Sequence, residues 1–318
     1  MKSTVKQAAT PDQWDAKALY NKSVRYIQHL PDLNNDAWEY ALWSSLALEL
    51  LGRAALSNVN PSLLADTDGK QWSSLYHSLG FSPTEKGFSP KSITVSEVFK
   101  RLQAIFNEFT KEDEAFCLQH TAKRNAELHS GELAFDGVKA SIWQPNFFKA
   151  CQVLLETMGE SLENFIGIDE AKAARQMIVA AADKSAEAVK GDVDAHMKVW
   201  LAKNETERKT LADQAIIWAT RHYGHRVSCP ACSSQALLFG SPISAPTIKL
   251  VDGNIIEMQD RLPTNFECIA CGLKVSGLSR LTAISLGDRY KNTLTYDAAD
   301  YYAPQDEFDG YEEDNNER

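Results

Sequence analysis

The chain has 318 residues, of which 44% are hydrophobic and 24% are charged, an ordinary composition for a globular protein. This length suits one large domain or two to three small ones. The first residues lack the apolar core of a signal peptide, and the most apolar run, residues 40–51, contains Glu49 and is too short to span a bilayer. We therefore expect a cytoplasmic protein without a membrane segment.

The net charge of −10 by itself argues against a nucleic-acid partner, because phosphate binding needs positive charge. The distribution of the charge along the chain weakens this argument. Residues 297–318 hold nine acidic residues and one basic residue, which leaves the other 296 residues with a net charge of only −2. Residues 221–291 carry eight basic and five acidic residues. Because most of the acidic excess lies at the C-terminal end, RNA is not excluded as a partner.

Apolar residues recur at helical spacing through the first two-thirds of the chain, which predicts a series of helices. Asp36 and Thr94 are the expected N-caps of two of them, Pro145 is expected in the first turn of another, and Gly131 is expected to end the helix before it. The predicted helices cover residues 12–30, 36–56, 71–79, 94–109, 111–129, 145–158, 169–189 and 192–222.

The predicted elements divide the chain into four parts. Residues 1–165 form a helical bundle of about four main helices, and residues 166–223 form a helical arm or an extension of that bundle. Short β-like runs make residues 224–291 a small β-rich domain. The tail, residues 292–318, is acidic and predicted to be disordered, either a solubilising end or a mimic of RNA. The expected fold class is therefore mainly α.

Two Cys-x-x-Cys pairs predict a metal site. Cys229 and Cys232 are separated from Cys268 and Cys271 by 35 residues, and two such pairs complete a tetrahedral four-thiolate site. This pattern resembles a zinc ribbon with a long insertion and implies structural Zn²⁺. Iron is the alternative metal. Two histidines near the first pair, His222 and His225, are the alternative ligands.

A second motif lies at the end of the helix predicted for residues 111–129, where residues 123–133 read KRNAELHSGEL. The plain interpretation is a solvated helix face. Alternatively, His129 moves protons near neutral pH, Arg124 binds phosphate oxygens, and Asn125, on the same helix face as His129, orients the imidazole. Arg124 and His129 are about 140° apart at 100° per residue, so a second subunit is expected to complete the site.

The residues Arg124, Asn125 and His129, late in a helical bundle, resemble the motif of the HEPN-domain family. The resemblance covers about residues 35–165. It implies a HEPN-like bundle and a metal-independent endoribonuclease whose active site forms between the two subunits of a homodimer. It also implies a bacterial toxin or antiviral defence effector. RNA is then the substrate, and the ribbon contacts RNA or a protein partner.

Two further residues of the bundle are candidates for supporting roles. Glu49 is expected to form an ion pair with Arg53, four residues later, and is also a candidate partner of Arg124. His120 lies one turn before Arg124. The alternative function is a non-catalytic scaffold in which the bundle dimerises and the ribbon binds nucleic acid or protein.

Overall fold

The computed structural model describes residues 12–67, 72–83 and 87–302. Among these residues, no helix combines the length and the apolar character needed to cross a lipid bilayer. The helices are α1 (Ala16–Ile27), α2 (Trp38–Val59), α3 (Ser73–Ser78), α4 (Val95–Ile105), α5 (Lys111–His129), α6 (Ala140–Thr157), α7 (Leu162–Ile166), α8 (Ile168–Ala182), α9 (Val189–Ala202), α10 (Glu205–Arg221), α11 (Leu278–Ala283) and α12 (Ala298–Tyr301). The strands are β1 (His225–Ser228), β2 (Gln235–Pro242), β3 (Thr247–Val251), β4 (Asn254–Glu267), β5 (Lys274–Ser276) and β6 (Tyr290–Asp297).

Helix α2 is the centre of the bundle, because it packs against α1, α4, α5 and α6. Ala47, Leu48 and Leu51 on α2 are completely buried, and the hydroxyl of Ser23 on α1 donates to the carbonyl of Ala47 at 2.6 Å. The bundle core extends into α8, whose Ala171 and its neighbours join the same hydrophobic cluster. The segment predicted as an arm thus contributes its first helix to the bundle.

The sheet is antiparallel and has β4 as its central strand. The C-terminal half of β4 pairs with β2 and β5, and its N-terminal half pairs with β3 and β6. Asp252 and Gly253 join β3 to β4 with φ angles of 50° and 79°. Two consecutive positive φ angles are typical of the tight hairpin turn that Asp-Gly favours.

A second hydrophobic cluster lies between this sheet and the helices α9, α10 and α11. Val193 and Trp200 from α9 and Ala215 from α10 are buried in it, together with Leu238 and Phe266 from the sheet. The predicted arm therefore divides between two cores: α8 packs in the bundle, and α9 and α10 pack on the cysteine-containing module.

Arg289 and Asp288 join the two cores. The Arg289 side chain is only 4% exposed, and its two terminal nitrogens donate to Glu170 Oε2 at 2.7 Å and to Tyr40 Oη at 2.6 Å. Asp288 accepts a hydrogen bond from the backbone nitrogen of Ser141 at the start of α6. These contacts fix the segment before β6 against the bundle.

The assignment to the mainly-α class was wrong. Helices make up 57% of the structure, but strands make up 16% and form a single six-stranded antiparallel sheet, so the fold is mixed α/β. Part of this sheet comes from the region that was predicted to be a disordered tail from residue 292. Instead, β6 pairs with β4 from Tyr290 to Asp297. Residues 303–318, the rest of that predicted tail, lie outside the described residues.

Two predicted helix boundaries and two predicted caps also differ from the structure. Helix α6 begins at Ala140, so Pro145 lies inside it. Helix α5 ends at His129 as predicted, but Gly131 does not end it as expected: Ser130 follows the helix in extended conformation, and Gly131 has no positive φ angle. The helix predicted for residues 192–222 is interrupted at Asn204, whose side chain accepts a hydrogen bond from the Glu207 nitrogen and caps α10. Asp36 does not cap α2; it accepts a hydrogen bond from the Ala140 nitrogen instead.

Candidate active site and metal centre

Helix α5 carries the candidate motif, and its start is fixed by local sequence. Thr110 and Asp113 form a reciprocal capping box, which satisfies two otherwise unpaired groups at the N-terminus. Asp113 is buried and also forms an ion pair with Lys149 on α6 at 2.9 Å. The last residue of the helix is His129, so the motif occupies the final two turns.

Arg124 faces α2 rather than solvent. Its Nη2 donates to Glu49 Oε2 at 2.5 Å, and its side chain is only 12% exposed. The other oxygen of Glu49 accepts from Nε and Nη2 of Arg53, at 2.9 and 2.8 Å. Both predicted contacts of Glu49 are therefore present. One carboxylate between two guanidinium groups leaves this cluster with a net charge of +1.

Arg53 anchors the cluster to the segment before α4. It donates to the carbonyl of Ile93 at 3.1 Å and to the hydroxyl of Ser92 at 3.2 Å. Within the described part of the chain, the buried Nε of Arg124 has no hydrogen-bond partner. A buried N–H donor of this kind is costly to leave unpaired and is available to an acceptor brought by a ligand.

Asn125 and His129 lie on the exposed face of the last two turns of α5. They are four residues apart and therefore share one side of the helix. No hydrogen bond joins Arg124 to His129 in the described part of the chain. This agrees with the angle of about 140° that separates the two side chains around the helix axis. One copy of the chain thus presents an anchored arginine and a solvent-facing histidine.

His120, one turn before Arg124, is buried and 3% exposed. Burial, together with the charges of Lys123 and Arg124, lowers its pKa from 6.5 to about 3, although a hydrogen bond with the backbone of Ala41 opposes the shift. The imidazole is therefore neutral at physiological pH. Its Nε2 is shielded from water and has no hydrogen-bond partner among the residues that the structure describes.

The four predicted metal-ligating cysteines come together in the structure. Their Sγ atoms all lie within 4.8 Å of one another, with Cys229 and Cys271 3.6 Å apart and Cys232 and Cys268 3.5 Å apart. Tetrahedral zinc with Zn–S bonds of about 2.3 Å needs sulfurs about 3.8 Å apart. The arrangement is therefore compatible with a zinc site.

The two Cys-x-x-Cys turns have the same backbone geometry. The nitrogens of Ser233 and Gly272 donate to the carbonyls of Cys229 and Cys268, four residues earlier, both at 2.9 Å. Ser233 and Gly272 have φ angles of 60° and 77°, and each turn closes an antiparallel hairpin. Since β2 and β4 are paired, the sheet itself brings the two turns together.

The cluster of thiols favours a bound cation. The pKa of Cys229 is raised by hydrogen bonds with the other three thiols, whereas the pKa of Cys232 is lowered by hydrogen bonds from Cys229 and the others. Four thiolates at this spacing would repel one another, and a bound metal ion would offset their charge.

His196 on α9 was not predicted from the sequence. Its Nδ1 lies 2.8 Å from the carbonyl oxygen of Cys271, so this helix supports the second turn directly. The histidines that were considered as ligands have other partners. His222 bonds to the carbonyl of Trp218 through Nδ1, and His225 stacks on Tyr290 with ring centroids 4.4 Å apart.

Comparison with known proteins finds no matching family model, no similar curated protein and no similar solved structure. The chain is therefore not assigned to a family. The resemblance of its motif to HEPN domains remains a prediction from Arg124, Asn125 and His129.

Proposed function

We propose that the protein is a metal-independent endoribonuclease of the HEPN type. The observation that carries this proposal is the pairing of Arg124 with Glu49 beside the exposed Asn125 and His129. The motif supplies an anchored cation and an accessible group for proton transfer. These are the two requirements for cleaving RNA with its own 2′-hydroxyl as nucleophile.

In the proposed reaction, the 2′-oxygen forms a bond to phosphorus and the bond from phosphorus to the 5′-oxygen breaks. The 2′-hydroxyl loses its proton to a base, and His129 donates a proton to the leaving 5′-oxygen. The products are a 2′,3′-cyclic phosphate and a free 5′-hydroxyl. Arg124 stabilises the negative charge on the phosphoryl oxygens, and Asn125 orients His129 or binds phosphate.

The proposed active site is shared by two copies of the chain. Arg124 is anchored against α2, while His129 points to solvent, so a single copy does not direct both at one phosphate. A homodimer with the two motifs facing each other provides one histidine as base and the other as acid. An RNA-cleaving dimer of this kind suits a toxin or an antiviral defence effector.

The four-cysteine cluster is proposed to hold a structural Zn²⁺ ion. Cysteine fills all four positions, so no coordination site remains for a substrate or a water molecule. Cys229 and Cys268 are buried within the second hydrophobic cluster. The ion is therefore proposed to stabilise this small core, and the surface of the module is proposed to contact RNA or a protein partner.

A non-catalytic scaffold is the second candidate function. It is favoured by one observation: the charge of Arg124 already has a partner in Glu49, and its side chain is mostly buried. The two functions are separated by assaying RNA cleavage in EDTA. The nuclease predicts products with 2′,3′-cyclic phosphate ends that are lost in His129→Ala, whereas the scaffold predicts no cleavage and RNA or protein binding that survives this substitution.

A further inference from the structure

A cavity of about 150 Å³ lies beside the candidate active site, between α5 and α6. Its lining is mainly aromatic and apolar, with no carboxylate among the described residues. The residues that matter here are Phe116, His120, Lys123, Phe135, Ile142 and Trp143. A cavity of about this volume accommodates a single six-membered ring.

His120 is the centre of the aromatic group. Its ring stacks on Phe116 with centroids 5.5 Å apart and on Trp143 with centroids 4.9 Å apart. Phe135 approaches the same imidazole at 5.5 Å. The imidazole is neutral, and its buried Nε2 has no hydrogen-bond partner among the described residues. The side-chain amides of Gln119 and Asn146 also line the cavity, and their oxygens can accept hydrogen bonds from an N–H group of a ligand.

The charges around the cavity select the kind of ligand. Lys123 lines it, and Arg124 is close enough to lower the pKa of His120. Arg124 is paired with Glu49, so Lys123 is the cation that lines the cavity. A lysine and no carboxylate in the lining disfavour a cationic ligand, even though aromatic walls often bind one. A flat, neutral ring attached to an anionic group fits instead.

We propose that this cavity binds a pyrimidine base of the RNA and thereby selects where the chain is cut. Single-stranded RNA is commonly recognised by stacking bases on aromatic side chains and by hydrogen bonds to their Watson–Crick edges. Uracil and cytosine have one ring and carry N–H donors on that edge, whereas purines have two fused rings. This inference rests on the proposed nuclease function and names the preferred base.

The position of the cavity fits this role. His120 precedes Arg124 by four residues, which places the cavity about 6 Å along the helix axis from the candidate phosphate-binding arginine. The phosphate of a nucleotide held in the cavity then lies toward Lys123 and Arg124. Selection and cleavage use adjacent turns of α5.

The test uses RNA that binds but is not cleaved by this chemistry. Hexamers of 2′-O-methyl-uridine and 2′-O-methyl-adenosine lack the 2′-hydroxyl nucleophile, so fluorescence anisotropy reports binding alone. The full-length wild type should bind the uridine hexamer about tenfold more tightly than the adenosine hexamer, as expected for one specifically held base. Equal binding of the two hexamers, or no binding of either, overturns the proposal.

Ile142 offers a way to block the cavity without disturbing the core, because its side chain lines the cavity and is 68% exposed. Ile142→Trp should bring the uridine-to-adenosine ratio close to one. The matched control is Ile168→Trp, at a position that is 75% exposed and lies outside the cavity lining, and it should keep the wild-type ratio. A ratio that survives in Ile142→Trp contradicts the proposed pocket.

Failure of the pocket is distinguishable from failure of the nuclease. Cleavage of unmodified RNA is measured separately, with wild type and His129→Ala. A preference for uridine without RNA cleavage supports the proposed base-binding cavity and contradicts the proposed nuclease activity. RNA cleavage without a base preference supports the nuclease activity and contradicts the base-binding cavity.

Discussion

Arg124 on α5 donates a hydrogen bond from Nη2 to Oε2 of Glu49 on α2, at 2.5 Å. The two residues are 75 positions apart in the sequence, so this contact exists only when the bundle is folded. It fixes the arginine of the candidate motif from the opposite helix. The bundle therefore positions the cation, while His129 is free to reach a substrate or a second subunit.

Glu49→Gln should weaken both stability and RNA cleavage. The substitution removes the charge that holds Arg53 and Arg124 but keeps the shape of the side chain. We expect the free energy of unfolding in urea to fall by ~1.5–3 kcal/mol, the range for a hydrogen bond with charged groups. RNA cleavage should fall by about tenfold or more, because the guanidinium of Arg124 loses its fixed position.

The matched control for this prediction is Glu163→Gln, which breaks the more exposed pair with Arg175. An exposed pair contributes little to stability because solvent screens it, so this variant should behave like wild type. Wild-type stability and wild-type cleavage in Glu49→Gln would show that the Glu49–Arg124 contact has no positioning role.

The metal centre predicts about one Zn²⁺ ion per chain in the purified protein. Cys232→Ser should abolish stoichiometric zinc binding, measured by elemental analysis, and destabilise the second hydrophobic cluster. Cys151→Ala is the control, because this cysteine is buried in the bundle and lies outside the four-thiol group. Full zinc content in Cys232→Ser, or none in the wild type, contradicts the assignment.

His196→Ala should weaken zinc binding without abolishing it. The contact of His196 with the carbonyl of Cys271 supports the turn but contributes no ligand. Groups that support metal ligands typically account for about 10–100-fold in affinity. A zinc-chelator competition titration measures this change, and an unchanged affinity would show that the contact does not support the site.

Acid should destabilise the protein through His120. Burial lowers the pKa of His120 from 6.5 to about 3. The unfolded chain therefore takes up a proton near pH 6.5, whereas the folded chain does not do so until about pH 3. The free energy of unfolding should consequently fall as the pH drops through this window, by up to ~1.4 kcal/mol per pH unit.

Urea unfolding between pH 6.5 and about pH 5 measures this effect above the range in which most carboxylates titrate. His120→Phe keeps an aromatic ring but removes the titrating group, so its stability should depend less steeply on pH. The exposed His222 provides the control, and His222→Ala should keep the wild-type slope. If His120→Phe has the same slope as wild type, another group causes the acid sensitivity.

Arg289→Met should destabilise the protein by ~3 kcal/mol, because it leaves Glu170 without the partner that joins the sheet to the bundle. The matched control is Arg175→Met, whose ion pair with Glu163 is more exposed. Urea unfolding followed by tryptophan fluorescence measures both variants. Equal stability of the two would show that Arg289 does not hold the two cores together.

Local signals predicted the elements that local contacts determine. The bounds predicted for α5 are confirmed, since Thr110 and Asp113 cap its start within four residues. Each Cys-x-x-Cys turn is likewise set by its own backbone hydrogen bonds. The convergence of the two turns depends on the pairing of β2 with β4, and it was predictable because four thiolates complete one tetrahedral site. The ion pair of Glu49 with Arg53 follows from helical spacing alone.

Long-range contacts explain what the sequence missed. Helix α6 starts before Pro145 because Asp36 and Asp288 accept hydrogen bonds from its first nitrogens, from 104 and 147 residues away. Likewise, β6 forms because it pairs with β4. The strand was not predicted because the sequence that follows it is acidic and was interpreted as a disordered tail. Arg289 carries no local motif, so neither its burial nor its bond to Glu170 was predictable.

The break at Asn204 was predictable in principle. Asn204 followed three residues later by Glu207 is a typical helix start, and the structure shows the expected hydrogen bond at 2.8 Å. The break was missed because apolar residues recur at helical spacing on both sides of Asn204. For His120, in contrast, the sequence gives the position on α5 but not the aromatic neighbours from α6 that enclose it.

The most direct test of the account is cleavage of a labelled single-stranded RNA in EDTA by the full-length protein and by His129→Ala, with identification of the product ends. We predict that the wild type produces 2′,3′-cyclic phosphate ends and that His129→Ala, which changes an exposed residue and should fold normally, is slower by at least about 100-fold. Absence of cleavage by the wild type, or equal cleavage by folded His129→Ala, would contradict the assignment of this motif as the active site.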